Sequence, residues 1–141
     1  FKVAVSSSGN HDNSIYNRWW SEKHHGVKEI EDEEGNISFK YDIEKNQDLA
    51  KNLKGKLLIT TGDIDNNVHP GLTIRMANAL IKANKRFDFF LFPGQRHGYG
   101  DMNEYFFWLR ADYFVKHLMG DYESSSSTDI IEMNRDKAMR K

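Results

Sequence analysis

A chain of 141 residues, 29% charged and 38% hydrophobic, has the size of one ordinary domain. Its 20 Lys and Arg against 21 Asp and Glu leave a formal net charge of -1, which argues against the basic face that nucleic-acid binding requires. No apolar run approaches the roughly 20 residues of a membrane span, and the absence of cysteine excludes disulfides, thiolate zinc sites and cysteine nucleophiles.

Residues 1–5 place Val3 and Val5 in a short β-favouring run, and the polar Ser-Ser-Ser-Gly-Asn cluster after it is expected to turn. The chain thus opens on Phe1 inside strand-like sequence, without a basic segment followed by an apolar one, and is expected to be a fragment of a larger domain. Tyr16, Trp19 and Trp20 fall at spacings of three and four, which predicts a helix or loop-helix with an aromatic face. The acidic stretch over 27–40 has no apolar face and is expected to be a solvated loop. A short amphipathic helix is expected over 42–52, with Ile43, Leu49 and Leu53 inward.

The continuous apolar run in KLLITTGD, bounded by Gly55 and Gly62, fits a strand covered on both faces. Leu72, Met76, Ala79, Leu80 and Ala83 then recur at helical spacing, and FDFFLF follows as a third strand. After the polar turn PGQRHGYGDMN, a long helix is expected over 104–119, with Phe107, Ala111, Phe114, Val115 and Leu118 inward. Strands alternating with helices define an α/β protein with a parallel sheet and right-handed crossovers. From Gly120 onward the sequence turns polar, so the domain is expected over 1–120 and a polar tail over 121–141.

In an open α/β sheet, ligands bind beyond the carboxyl ends of the strands. Two polar loops fall at that edge: residues 62–70 with Asp63, Asp65 and His69, and residues 95–100 with His97. Together they could bring a carboxylate to the Nδ1 of an imidazole and leave Nε2 free as a general base. A lone Asp or a lone His at such a place is ordinarily a cap or a turn residue. The joint placement on two strand ends is what favours chemistry. No Gly-x-Ser-x-Gly nucleophile elbow is present, and Ser6, Ser7 and Ser8 are expected in a turn. His24 and His25 are adjacent and cannot both face one ion, and no H-E-x-x-H occurs. No metal or cofactor is expected. Phosphate-binding G-x-x-x-x-G-K-[ST] and dinucleotide-binding G-x-G-x-x-G runs are absent as well.

Three segments, FKVAVSSSGNHDNSIYNRWWSEKHHG, TTGDIDNNVHP and LFPGQRHGYG, together resemble the C-terminal part of the catalytic domain of dipeptidyl peptidase IV-like serine peptidases, in the prolyl oligopeptidase family. They match in order and spacing and cover about residues 1–120. The resemblance implies the C-terminal part of an α/β-hydrolase fold, three parallel strands with flanking helices, truncated before its nucleophile. It implies that Asp65 is the triad aspartate and His97 the triad histidine, that Asn67 holds a substrate backbone carbonyl, and that Val68, Tyr16 and Trp20 line the proline pocket. From residue type alone, Tyr16 and Trp20 are ordinary core aromatics. Thr61 stands where the family commonly has histidine.

The nucleophilic serine, oxyanion-hole donors, propeller domain and paired glutamates would precede Phe1, so this chain alone is expected to be inactive. The implied substrate is a peptide with Pro or Ala in second position. An acylaminoacyl peptidase or esterase of the same fold, or a non-catalytic α/β interaction domain, are the alternatives. The resemblance further implies an extracytoplasmic location. An unpaired edge on the strand over 1–6 is expected to drive self-association.

Overall fold

The computed structural model describes residues 1–123, so the polar tail expected from 121 lies outside the described residues after its first three. Three strands, β1 (Val3–Ser7), β4 (Lys56–Gly62) and β5 (Asp88–Phe92), form a parallel sheet in the order β1-β4-β5. Residue by residue, Val3 to Ser7 lie beside Lys56 to Thr60, and Leu58 to Gly62 beside Asp88 to Phe92. The central strand β4 is buried over its last five residues, which accounts for its unbroken apolar and threonine sequence.

Both crossovers step along the sheet in the same direction, so right-handed connections must lie on one face. They do. The 3-10 helix Asn46–Asn52, which precedes β4, and helix α2 (Gly71–Lys82), which follows it, share one cluster. Ala50, Ile59, Met76 and Leu80 form its centre, with Leu53 and Leu57 against them. The opposite face holds Phe92, Tyr99 and Phe106, with Val5 and Leu109 alongside, and is covered by helix α3 (Asn103–Phe114). Alternation along β4 thus sends Ile59 toward α2 and Thr60 toward Tyr99.

Four sequence expectations need correction. Residues 27–40 are a β-hairpin, β2 (Lys28–Glu31) against β3 (Ile37–Lys40), rather than a loop. Its turn is held by the Asp32 carboxylate, which accepts the Glu34 and Asn36 amides at 3.0 and 2.8 Å, while Gly35 takes a left-handed φ of 82°. Every hairpin residue is exposed, so the absence of an apolar face marked exposure and not the lack of strands.

Residues 46–52 form a 3-10 helix, whose three-residue turn brings Gln47, Ala50 and Leu53 to one side. Ala50 is buried there and Leu49 is exposed. In α3 the buried residues are Phe106 and Tyr113 and Phe107 is exposed, and the last turn of the expected helix is a π-helix, Val115–Met119, in which Leu118 is exposed. Apolar residues lie all around this helix, so periodicity could not choose the inward side; the aromatic pair Phe92 and Tyr99 selects Phe106. Finally, Ser6 and Ser7 continue β1, and only Ser8 turns, with φ 46°. The aromatic segment forms helix α1 (Arg18–His25), which starts two residues after Tyr16 and is capped by the Asn17 side chain on the Trp19 amide.

Candidate active site

The loops leaving β4 and β5 touch through their backbones before any side chain is considered. The Asp63 amide donates to the Phe92 carbonyl at 3.2 Å, and the Ile64 amide to the Gln95 carbonyl at 3.2 Å. The approach is so close that a Cβ on Gly62 would stand 2.2 Å from the Gln95 carbonyl oxygen. Glycine at the end of β4 is therefore what lets the two loops meet.

Their side chains join at the next step. His97 Nδ1 lies 2.9 Å from Asp65 Oδ2. The other carboxylate oxygen, Oδ1, accepts the backbone amides of Asn67 at 2.9 Å and Val68 at 3.0 Å. Asp65 is 2% exposed, and its burial opposes ionisation; the hydrogen bonds from His97, Val68 and Asn67 and the charge of the imidazole outweigh that and hold its carboxyl below the usual range. In the tautomer whose Nδ1 donates to this carboxylate, a neutral imidazole would carry its lone pair on Nε2. The His97 side chain is 43% exposed, so Nε2 is reachable by a reactant.

The remaining residues named from the sequence extend the same chain of contacts. Asn67 is exposed, and its Oδ1 accepts the Tyr16 hydroxyl at 2.9 Å. Tyr16 packs edge to face with Trp20, centroids 6.5 Å apart at 82°. Trp20 is 51% exposed and lies 4.1 Å from the His24 ring. Val68 is buried beneath the loop. Asp65, His97, Asn67, Val68, Tyr16 and Trp20 thus occupy one edge of the sheet, linked through the turn that follows Asp65. With Oδ1 taken by Tyr16, Asn67 has its Nδ2 left to donate to an acceptor.

Sequence reasoning passed over two supports of this edge. Gly62 is one. The other is Tyr99, placed in a polar turn but 1% exposed, with its hydroxyl 2.6 Å from Thr60 Oγ1. An aromatic residue between two glycines, in the stretch Gly98-Tyr99-Gly100, was the available signal. His69 Nδ1 accepts the amide of Gly71, the first residue of α2, at 3.0 Å. Among the described residues no group of three His, Cys, Asp or Glu side chains is arranged to hold a metal ion. A cleft of about 540 Å3 lies away from this edge, between the 3-10 helix and α2, so cavity size does not locate the chemistry.

A parallel sheet flanked by helices on both faces, ending in these loops, is the architecture of α/β-hydrolase-fold peptidases. The family model for the prolyl oligopeptidase family matches residues 1–121, and the chain belongs to that family. Among solved structures, it is similar to a candidate dipeptidyl aminopeptidase IV from Bacteroides ovatus ATCC 8483, with 25% identity and a TM-score of 0.68 over 83% of this chain and 16% of that one. It is also similar to Porphyromonas gingivalis dipeptidyl peptidase 4, with 28% identity and a TM-score of 0.63 over 79% of this chain and 15% of that one. Pyrococcus horikoshii acylaminoacyl peptidase, at 16% identity, shares the fold, with a TM-score of 0.64 over 99% of this chain and 22% of that one. The chain therefore spans about a sixth of the length of the first two relatives. A search of curated protein sequences finds no match.

Proposed function

We propose that this chain supplies the aspartate and histidine of the catalytic triad of a serine peptidase that removes N-terminal dipeptides ending in Pro or Ala. The observation that carries the proposal is the 2.9 Å contact between Asp65 and His97 Nδ1 at the carboxyl edge of the sheet. In the mechanism, His97 Nε2 takes the proton of a serine hydroxyl as that oxygen attacks the scissile carbonyl, and then returns it to the leaving amine. Asp65 stays ionised, holds the ring in the Nδ1–H tautomer and stabilises the imidazolium. Asn67 Nδ2 donates to a backbone carbonyl of the substrate. Tyr16 and Trp20 offer a flat apolar wall to the proline ring, with Val68 beneath.

The serine and its oxyanion donors are supplied by sequence outside these 141 residues, so the chain by itself is proposed to hydrolyse nothing. An extracytoplasmic location and self-association through β1 belong to the same proposal. The peptidase reading itself is supported by the family membership and the two dipeptidyl peptidase-like relatives.

The test uses the full-length enzyme. Asp65→Asn should lower kcat by about 10^4, because the ring loses its orienting carboxylate. Gly-Pro chromogenic substrates should be cleaved in preference to acetyl-Ala ones; the reverse order would mark an acylaminoacyl peptidase, and cleavage of neither would refute a peptidase of either kind.

A further inference from the structure

We infer that Tyr99 is a positioning residue for His97, whose buried hydroxyl fixes the loop that carries the imidazole. The kinetic consequence rests on the peptidase proposal above; the geometric one does not.

The loop around Tyr99 is exposed at Arg96, His97, Gly98 and Gly100, yet Tyr99 itself is 1% exposed. Its backbone is left-handed, φ 64°, between Gly98 at 83° and Gly100 at 44°. A bulky L-residue holds that conformation only where its surroundings over-determine it. They do so here. The ring stacks on Phe92, centroids 4.3 Å apart and planes 21° from parallel, and meets Phe106 edge-on at 4.8 Å.

Hydrophobic packing would be served equally by phenylalanine, so the hydroxyl calls for its own account. It lies 2.6 Å from Thr60 Oγ1 and 3.4 Å from Ser8 Oγ. Thr60 is fully buried and sits on β4, five residues before Asp65. Ser8 is the turn residue that follows β1; it donates its amide to the Thr60 carbonyl at 2.9 Å and is itself left-handed at φ 46°. Two strained residues, one from the turn after β1 and one from the loop after β5, therefore meet at one threonine of β4. One phenol ties the ends of all three strands, and both partners of the acid-imidazole pair leave from that knot: His97 two residues before Tyr99, Asp65 five after Thr60. Tyr99 does not reach the reacting atoms, so its effect must pass through His97.

The experiment follows the hydrogen-bonded Nδ1 proton of His97 by NMR in the 141-residue chain. In Tyr99→Phe its exchange with solvent should quicken by about tenfold, since removing one buried partner loosens the network around the pair. Thr60→Val should do the same, and Thr60→Ser, which keeps the hydroxyl, should restore the original exchange. Tyr113→Phe is the control: its hydroxyl donates to Asp88 Oδ2 at 3.0 Å, so its loss should lower stability without moving the His97 proton. In the full-length enzyme Tyr99→Phe should lower kcat roughly 10- to 100-fold with KM little changed, the signature of a displaced base.

Lowered melting temperatures with unchanged His97 exchange in both Tyr99→Phe and Thr60→Val would overturn the positioning role. Should Tyr99→Phe not fold, the threonine pair decides alone. An inactive full-length enzyme whose His97 proton still responds to these variants would remove the peptidase proposal and leave the role of Tyr99 standing.

Discussion

Replacing Gly62 by alanine perturbs the point where the two site loops cross. The added methyl would stand 2.2 Å from the Gln95 carbonyl oxygen, 2.7 Å from its carbon and 3.0 Å from the Arg96 carbonyl oxygen, all backbone atoms that cannot swing aside. Restoring ordinary contact requires the 95–96 backbone to retreat by about 1 Å. The bonds from Asp63 and Ile64 across the loops are already 3.2 Å long, so that retreat breaks them. Each bond is worth about 1 kcal/mol net, and residual overpacking adds about 1 kcal/mol. The stiffer unfolded chain offsets about 0.5 kcal/mol. The variant should therefore lose about 2.5 kcal/mol, a fall of roughly 10 °C in melting temperature for a domain of this size.

Gly94→Ala separates sterics from conformation, because Gly94 has φ 69° but open space around its Cβ position. It should cost only about 1 kcal/mol, the penalty of a left-handed alanine. Circular dichroism melts of both variants, with NMR detection of the His97 Nδ1 proton, make the comparison. Gly62→Ala melting at or above Gly94→Ala, with the His97 proton undisturbed, would refute the close-crossing argument.

Acid stability should report Asp65. Its folded carboxyl titrates below the unfolded value of about 3.9. Its contribution is therefore fully present above that value and is lost as pH falls through the lower, folded one. Urea midpoints measured from neutral pH down to about 3 should fall more gently for Asp65→Asn than for the wild type; parallel slopes would contradict the sign. The open edge of β1, paired only with β4 among the described residues, should make the chain self-associate. Sedimentation velocity at increasing concentration should show a species heavier than a monomer, and a sharp monomer boundary throughout would count against it.

Elements with a strong local signature could be read from the chain directly. The run KLLITTG has the length, bounding glycines and unbroken apolar character of a buried strand, and α2 shows its helical spacing. Asp65 and His97 stood out because each lies in a polar loop that leaves a strand legible from its apolar run. Elsewhere the local signal was ambiguous. The hairpin strands are exposed along their length, even at Ile30, Ile37 and Phe39, so burial left no imprint on their sequence. Helix α3 is apolar on all sides, so 3.6-residue periodicity could not say which side faces inward.

The succession β1, β4, α2, β5, α3, and the residue types at the ends of β4 and β5, are consequences of the sequence by itself, because propensity and hydrophobic period act over a few neighbouring residues. That Asp65 and His97 share a hydrogen bond, that Gly62 admits the neighbouring loop, and that Tyr99 is sealed against Thr60 and Ser8 were decided only by tertiary structure. Those contacts join residues 32 to 91 positions apart. They arise from the register in which β1, β4 and β5 pair, a collective outcome of packing both faces of the sheet that no short window of sequence encodes.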